Sequence, residues 1–170
     1  QLGRSREFLQ FIQPQAAAIF GPQPALEKDN FVALAQQVKP GFIRVDADEV
    51  SYPAHVMLRY DIEKALIEGE IEVEDIPALW DEKMHHYLGL DTRGNYRQGC
   101  MQDIHWTDGA FGYFPTYTLG ALYAAQLFAA AQQQLPGMSG DIAHGNLQTI
   151  SGWLNDNIWQ HGSVLTTDEL

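Results

Sequence analysis

The sequence predicts a mostly α-helical, multi-helix domain with one short extended or small β segment near what reads as the wall of a site. Three observations lead there. Apolar residues recur at helical rather than alternating intervals in six separate stretches. Proline and glycine punctuate the gaps between them, as at Gly21-Pro22, Pro40-Gly41 and Pro136-Gly137. Extended character is confined to a single run that opens at Phe42-Ile43-Arg44-Val45. A chain of 170 residues can bury roughly 70% of its unfolded surface, so a true core is within reach.

Taken in order, Phe8, Phe11, Ile12, Ile19 and Phe20 define a first helix within residues 1–20, bent or restarted at Pro14. No start signal precedes Gly3, so this helix reads as already under way before residue 1. A second helix spans 25–38 with Leu26, Phe31, Leu34 and Val38 inward, and Lys39-Pro40-Gly41 closes it. The extended run then ends in Asp46, Asp48 and Glu49, which suit a helix start because free N–H groups and the positive dipole end favour anions.

The third helix runs from about Ser51 to Glu68 with Pro53 in its first turn. His55, Arg59 and Glu63 fall on one stripe of it, and the favoured reading is a solvated ladder of i,i+4 pairs over a site. Asp75 caps a fourth helix carrying Leu79, Trp80, Met84, Tyr87 and Leu88 to Gly89. After a polar loop and the central stretch, Thr116 starts a fifth helix to about Gln134, apolar around much of its circumference and therefore expected to be buried. A last helix from about Asn146 to Gln160 presents Leu147, Ile150, Leu154 and Ile158.

Composition excludes several classes. A formal charge of -12 argues against nucleic acid, whose affinity comes from Lys and Arg on phosphates. With 45% hydrophobic and 11% aromatic residues the chain is too apolar for intrinsic disorder. The run Leu119 to Ala131 is shorter than the ~20 residues that cross a bilayer, so no membrane partner is expected. Cys100 is the single cysteine and fits a reducing, cytoplasmic setting. The chain opens on Gln1 with no signal-peptide pattern, which points to a removed leader or an internal piece.

The chemistry concentrates in Gly99-Cys100-Met101-Gln102-Asp103-Ile104-His105-Trp106 and in Phe111-Gly112-Tyr113-Phe114-Pro115-Thr116-Tyr117. A packing segment would be mostly aliphatic, because each buried polar group without a partner costs roughly 1–3 kcal/mol. Asp103 and His105 alternate on an extended segment and point the same way. A metal there would need further ligands, with His85 or His86 the obvious donors, and hydrogen bonding to protein groups is favoured. Arg44 can bind a carboxylate bidentately or pair internally with Asp46 or Asp48. His105 can donate to a polarised carbonyl, and Tyr113 or Tyr117 can supply a phenol to an oxyanion, each against the alternative of simple packing.

Three blocks carry a resemblance: Ile43-Arg44-x-x-Ala47-Asp48, Gly99-x-x-Gln102-Asp103-x-His105-Trp106, and Phe111 to Tyr117. In that order they resemble the thermostable carboxypeptidase Taq family of zinc metallocarboxypeptidases. Ala65-Leu66-Ile67-Glu68-Gly69 and the run after Leu119 are similar to it too, while Asn95-Tyr96-Arg97-Gln98 and Tyr52-Pro53 depart from the pattern. The family's His-Glu-x-x-His helix and later His-Glu-Ser block are absent. The resemblance therefore implies that residues 1–170 are a single C-terminal piece of a larger helical enzyme, with the zinc-binding part elsewhere and no metal ligand here.

For the complete enzyme the resemblance implies removal of single residues from peptide C-termini, with zinc as cofactor, a homodimer and a cytoplasmic location. By the same resemblance Arg44 binds the substrate's carboxylate with Gln102 and Asp103 on the substrate side, His105 lies near the scissile bond, and Tyr117, or less so Tyr113, steadies the intermediate. This piece alone is expected to be inactive and to hold no zinc. The competing reading is a non-catalytic helical module that binds peptides through its aromatic wall.

Overall fold

The computed structural model describes residues 1–169. Among them run seven α-helices: α1 (Arg6–Phe20), α2 (Lys28–Ala35), α3 (Tyr52–Ile67), α4 (Ile76–Leu88), α5 (Phe114–Gln134), α6 (Met138–Ala143) and α7 (Gln148–Asn157). They form two compact units, one of residues 37–122 and one of residues 1–36 with the chain from Tyr123 onward.

In the unit that holds the chain's start, α1 begins inside the sequence rather than before it. Ser5 is its N-cap, the Oγ accepting from Phe8 N at 3.2 Å. The missed signal is the N-cap serine itself, with Glu7 in the first turn. The helix runs through Pro14 without ending. Helix α2 is shorter than predicted because Pro24–Leu26 forms a separate 3-10 turn. Val32 is its buried residue, whereas Leu34 and Val38 are exposed.

The core of this unit gathers Ala131, Met138, Ile142 and Ile150, with Phe8, Phe128, Leu147 and Leu154 packed on it. The predicted apolar face of the last helix is the one that packs; α6, absent from the sequence reading, supplies Met138 and Ile142. One close approach fixes the turn after α6. Gly145 has φ +74, and a Cβ there would stand 2.2 Å from Phe11 Cζ. We expect Gly145→Ala to cost about 1–3 kcal/mol, as overpacking does, with Phe11→Leu restoring part of it. Unchanged urea unfolding in Gly145→Ala would refute this.

The second unit packs α3 against α4 through Leu58, Ile62, Trp80, Met84 and Leu88, with Phe42, Ile76, Cys100 and Trp106 around them. Pro77 lies in the first turn of α4, and Gly89, at φ 70, closes it in the left-handed conformation that glycine tolerates. Helix α5 starts at Phe114, two residues earlier than predicted, and the Thr116 hydroxyl donates to the Tyr113 carbonyl at 2.6 Å instead of capping. The predicted burial of this helix is not met, since Leu119, Leu122 and Tyr123 are exposed in this chain.

The expected small β segment is absent: no strand occurs among the described residues. Ile43 is extended, but Arg44–Asp46 turns into a 3-10 helix. The side-chain amide of Gln102 takes the place of a neighbouring strand. Its Oε1 accepts from Arg44 N at 2.9 Å and its Nε2 donates to Phe42 O at 3.0 Å. Two main-chain groups are satisfied without a ladder.

Candidate active site

Helix α3 organises the site, and it does so with the face expected to meet water. His55 and Arg59 are 0% exposed and Glu63 5%, while Met57, Tyr60 and Ile67 lie outward. The solvated-ladder reading of that stripe is overturned. Arg59 and Glu63 instead fix the loop of residues 99–113, while Asp61 and Lys64 carry polar contacts elsewhere on the helix.

Two of the stripe residues, Glu63 and Arg59, hold the loop. Glu63 accepts from Trp106 Nε1 at 3.0 Å and from the Gly112 amide. Arg59 donates from Nε to Asp103 Oδ2 at 2.6 Å and from Nη1 to its own helix at the His55 carbonyl, 2.8 Å away. Its guanidinium also lies over Trp80, 4.6 Å from the ring centre. Burial pulls the Arg59 pKa down to about 10 against the opposing pull of Asp103, so it stays charged. Among the described residues neither ring nitrogen of His55 has a hydrogen-bond partner, and the Gly41 backbone favours the charged ring. Burial first, and then Arg59, hold His55 at about 4.

Arg44 approaches Asp103 from the other side. Its Nε and Nη2 donate to Oδ1 at 3.1 and 2.8 Å, and its Nη1 donates to the Tyr52 hydroxyl at 2.6 Å. The internal partner is thus Asp103, not Asp46 or Asp48. Asp48 instead accepts from Lys39 N, Val50 N, Ser51 N and Ser51 Oγ, which hold its carboxyl well below the usual range despite burial. Burial also works against the charges of Asp103 and Arg44, but the pairing wins: Asp103 titrates below and Arg44 above its ordinary value. One carboxylate therefore faces two guanidiniums, and the cluster keeps an excess positive charge.

Beside this cluster stands an aromatic wall. His105 Nε2 lies 2.9 Å from the Tyr117 hydroxyl, and its ring packs on Phe114 and Tyr113 with centres 4.3 and 5.9 Å apart. Tyr117 in turn lies under the Arg44 guanidinium at 4.9 Å and edge-on to Tyr52. His105 Nδ1 is buried and without a hydrogen bond, 3.9 Å from Asp103 Oδ1. All six residues singled out in the sequence thus come together: Arg44, Gln102, Asp103, His105 and Tyr117 are directly linked, with half-exposed Tyr113 against the His105 ring. Tyr52, His55, Arg59 and Glu63 complete the site and were missed. The partners of Arg59 and Glu63, Asp103, Trp106 and Gly112, lie more than forty positions further along the chain, and no local pattern on α3 marks them.

Among the described residues no three His, Cys, Asp or Glu side chains gather as metal ligands. Neither do His85 and His86 join His105. A family model described as carboxypeptidase Taq (M32) metallopeptidase matches residues 1–170. The chain belongs to that family.

Relatives within the carboxypeptidase Taq family agree. Thermostable carboxypeptidase 1 of Thermus thermophilus is 41% identical over 162 residues, 95% of this chain and 32% of that protein. Carboxypeptidase 1 of Bacillus subtilis is 44% identical over 134 residues, 79% of this chain and 26% of that protein. The solved structure of Trypanosoma cruzi metallocarboxypeptidase 1 superposes with a TM-score of 0.93 at 51% identity, covering 99% of this chain and 35% of that one. The chain spans between a quarter and about a third of the length of these family members.

Proposed function

We propose that this chain is the substrate-side part, a single C-terminal piece, of a zinc-dependent carboxypeptidase that removes residues one at a time from peptide C-termini. The observation that carries the reading is the two-to-one pairing of Arg44 and Arg59 with Asp103. An excess positive charge beside the rings of Tyr52, Tyr117 and Phe114 attracts one further anion. A peptide's terminal carboxylate is such an anion, and a guanidinium matches it bidentately.

In this reading Arg44 offers the Nε–Nη2 edge that now holds Asp103 Oδ1 to that carboxylate, while Gln102 holds the backbone of Arg44 in place. The nearby His105–Tyr117 pair presents a hydroxyl or ring N–H to the scissile carbonyl or the leaving amine. Tyr117 suits this role better than Tyr113 because its hydroxyl already touches His105. In this reading the chain contributes binding and orientation, zinc is held elsewhere in the complete enzyme, and the chain alone is inactive. The complete protein works as a cytoplasmic homodimer on peptides, apart from nucleic acid and membranes.

The test is Arg44→Ala in the complete protein. A lost charge-assisted contact is worth about 1.5–3 kcal/mol, so kcat/KM on peptides falls roughly ten- to a hundred-fold while bound zinc stays constant. Equal losses of zinc and activity would remove Arg44 from the substrate. Absence of any C-terminal trimming by the unaltered protein would favour a non-catalytic helical peptide-binding module instead.

A further inference from the structure

We propose that binding of the substrate carboxylate at Arg44 switches the hydrogen bonding of His105, with Asp103 as the shared element; this rests on the carboxylate-binding reading of Arg44. Four observations converge on it. Asp103 Oδ1 is held by Arg44 alone, through Nε and Nη2. Asp103 Oδ2 is held separately by Arg59, which α3 fixes in place. His105 Nδ1 is buried, unpartnered and 3.9 Å from Oδ1. The other ring nitrogen already engages Tyr117.

The charges decide why the exchange is feasible. Breaking a buried ion pair is costly when it strands a charge, typically by about 3–5 kcal/mol. Here nothing is stranded. With an incoming carboxylate on Arg44, Arg59 still neutralises Asp103, and two cations face two anions instead of one. Oδ1 is then released from its two donors and takes a proton donor in their stead. His105 Nδ1–H, without a partner and 3.9 Å from Oδ1, supplies it, while Arg59 stays on Oδ2.

That bond fixes the ring as the Nδ1–H tautomer, so Nε2 becomes the acceptor and the Tyr117 hydroxyl the donor. The groups facing His105 are Asp103 from its own loop, Tyr113 and Tyr117 at the start of α5, and Arg44 behind Tyr117. Arg59, His55 and Tyr52 lie one contact further back. An occupied carboxylate subsite thereby fixes the direction of the His105–Tyr117 hydrogen bond, and an empty one leaves it unset. Asp103 is a positioning residue in this scheme, acting through His105.

The test is a titration of the complete unaltered protein with 3-phenylpropionate, a carboxylate with no bond to cleave, and with 3-phenylpropionamide as the neutral control. Nitrogen-15 labels on arginine and histidine report Arg44 Nε–H and His105 Nδ1–H, with the His105 signal assigned by its loss in His105→Gln. The expected result is that the carboxylate, and not the amide, moves both signals along one binding curve, the Nδ1–H proton shifting downfield and exchanging more slowly. Movement of Arg44 with His105 unchanged overturns the switch while leaving the carboxylate subsite intact. No response from either overturns the subsite and the switch together.

Discussion

Replacing Asp103 by Asn is expected to cost about 3–5 kcal/mol of folding stability, the range for removing one partner of a buried ion pair. The asparagine keeps the shape of the side chain and deletes only its charge. Arg44 and Arg59 then face each other without a counter-ion, in a site where Arg59 has no access to water. Urea unfolding of Asp103→Asn measures the loss. A double variant that also carries Arg59→Met removes the surplus cation and recovers part of it, because residues in one network do not add independently. Equal midpoints for wild type and Asp103→Asn would show that the cluster contributes no net stability.

Acidification between pH 6.5 and 4 is expected to remove roughly 3 kcal/mol of stability through His55 alone, at 1.36 kcal/mol per pH unit. The ring is held at about 4 against an ordinary 6.5 by burial and by Arg59, with Arg44 adding to the effect and Asp103 opposing it. Its folded pKa is thus depressed, and the unfolded chain binds the proton first. Stability is full above the unfolded value, falls as pH drops through the window, and levels off below the folded value. Asp48 and Asp103 also titrate low, but the stability they contribute is lost only once the pH enters and passes below the ordinary carboxylate range. His55→Leu is expected to flatten the profile between 6.5 and 4 while folding normally at neutral pH, since it removes two unsatisfied nitrogens from the interior. A slope that persists in His55→Leu would assign the acid sensitivity elsewhere.

Much of this molecule is legible in its sequence. The helices and their stops follow from apolar spacing and from Gly69, Gly89 and Pro136-Gly137, which act locally. The central loop betrayed itself by carrying more polar groups than a packing segment can hold, and its residues do converge. What failed was burial that depends on distant partners. Nothing near His55, Arg59 or Glu63 announces that Asp103 and Trp106, more than forty positions away, will turn toward them. The extended run at Phe42 failed for the same reason, as its partner is the amide of Gln102 and no strand pattern encodes that. The α5 face was misjudged in the opposite sense: an apolar circumference states what a helix can bury, not what this chain provides to cover it.

The three side chains of the α3 stripe stand one helical turn apart, and two of them, Arg59 and Glu63, meet three different parts of a loop that has no regular structure of its own. A single residue inserted between His55 and Glu63 would rotate everything beyond it by about 100°, given 3.6 residues per turn. Glu63 would leave Trp106, or Arg59 would leave Asp103, however conservative the inserted residue. The count of residues in this helix is therefore as much a part of the site as the identity of any side chain in it.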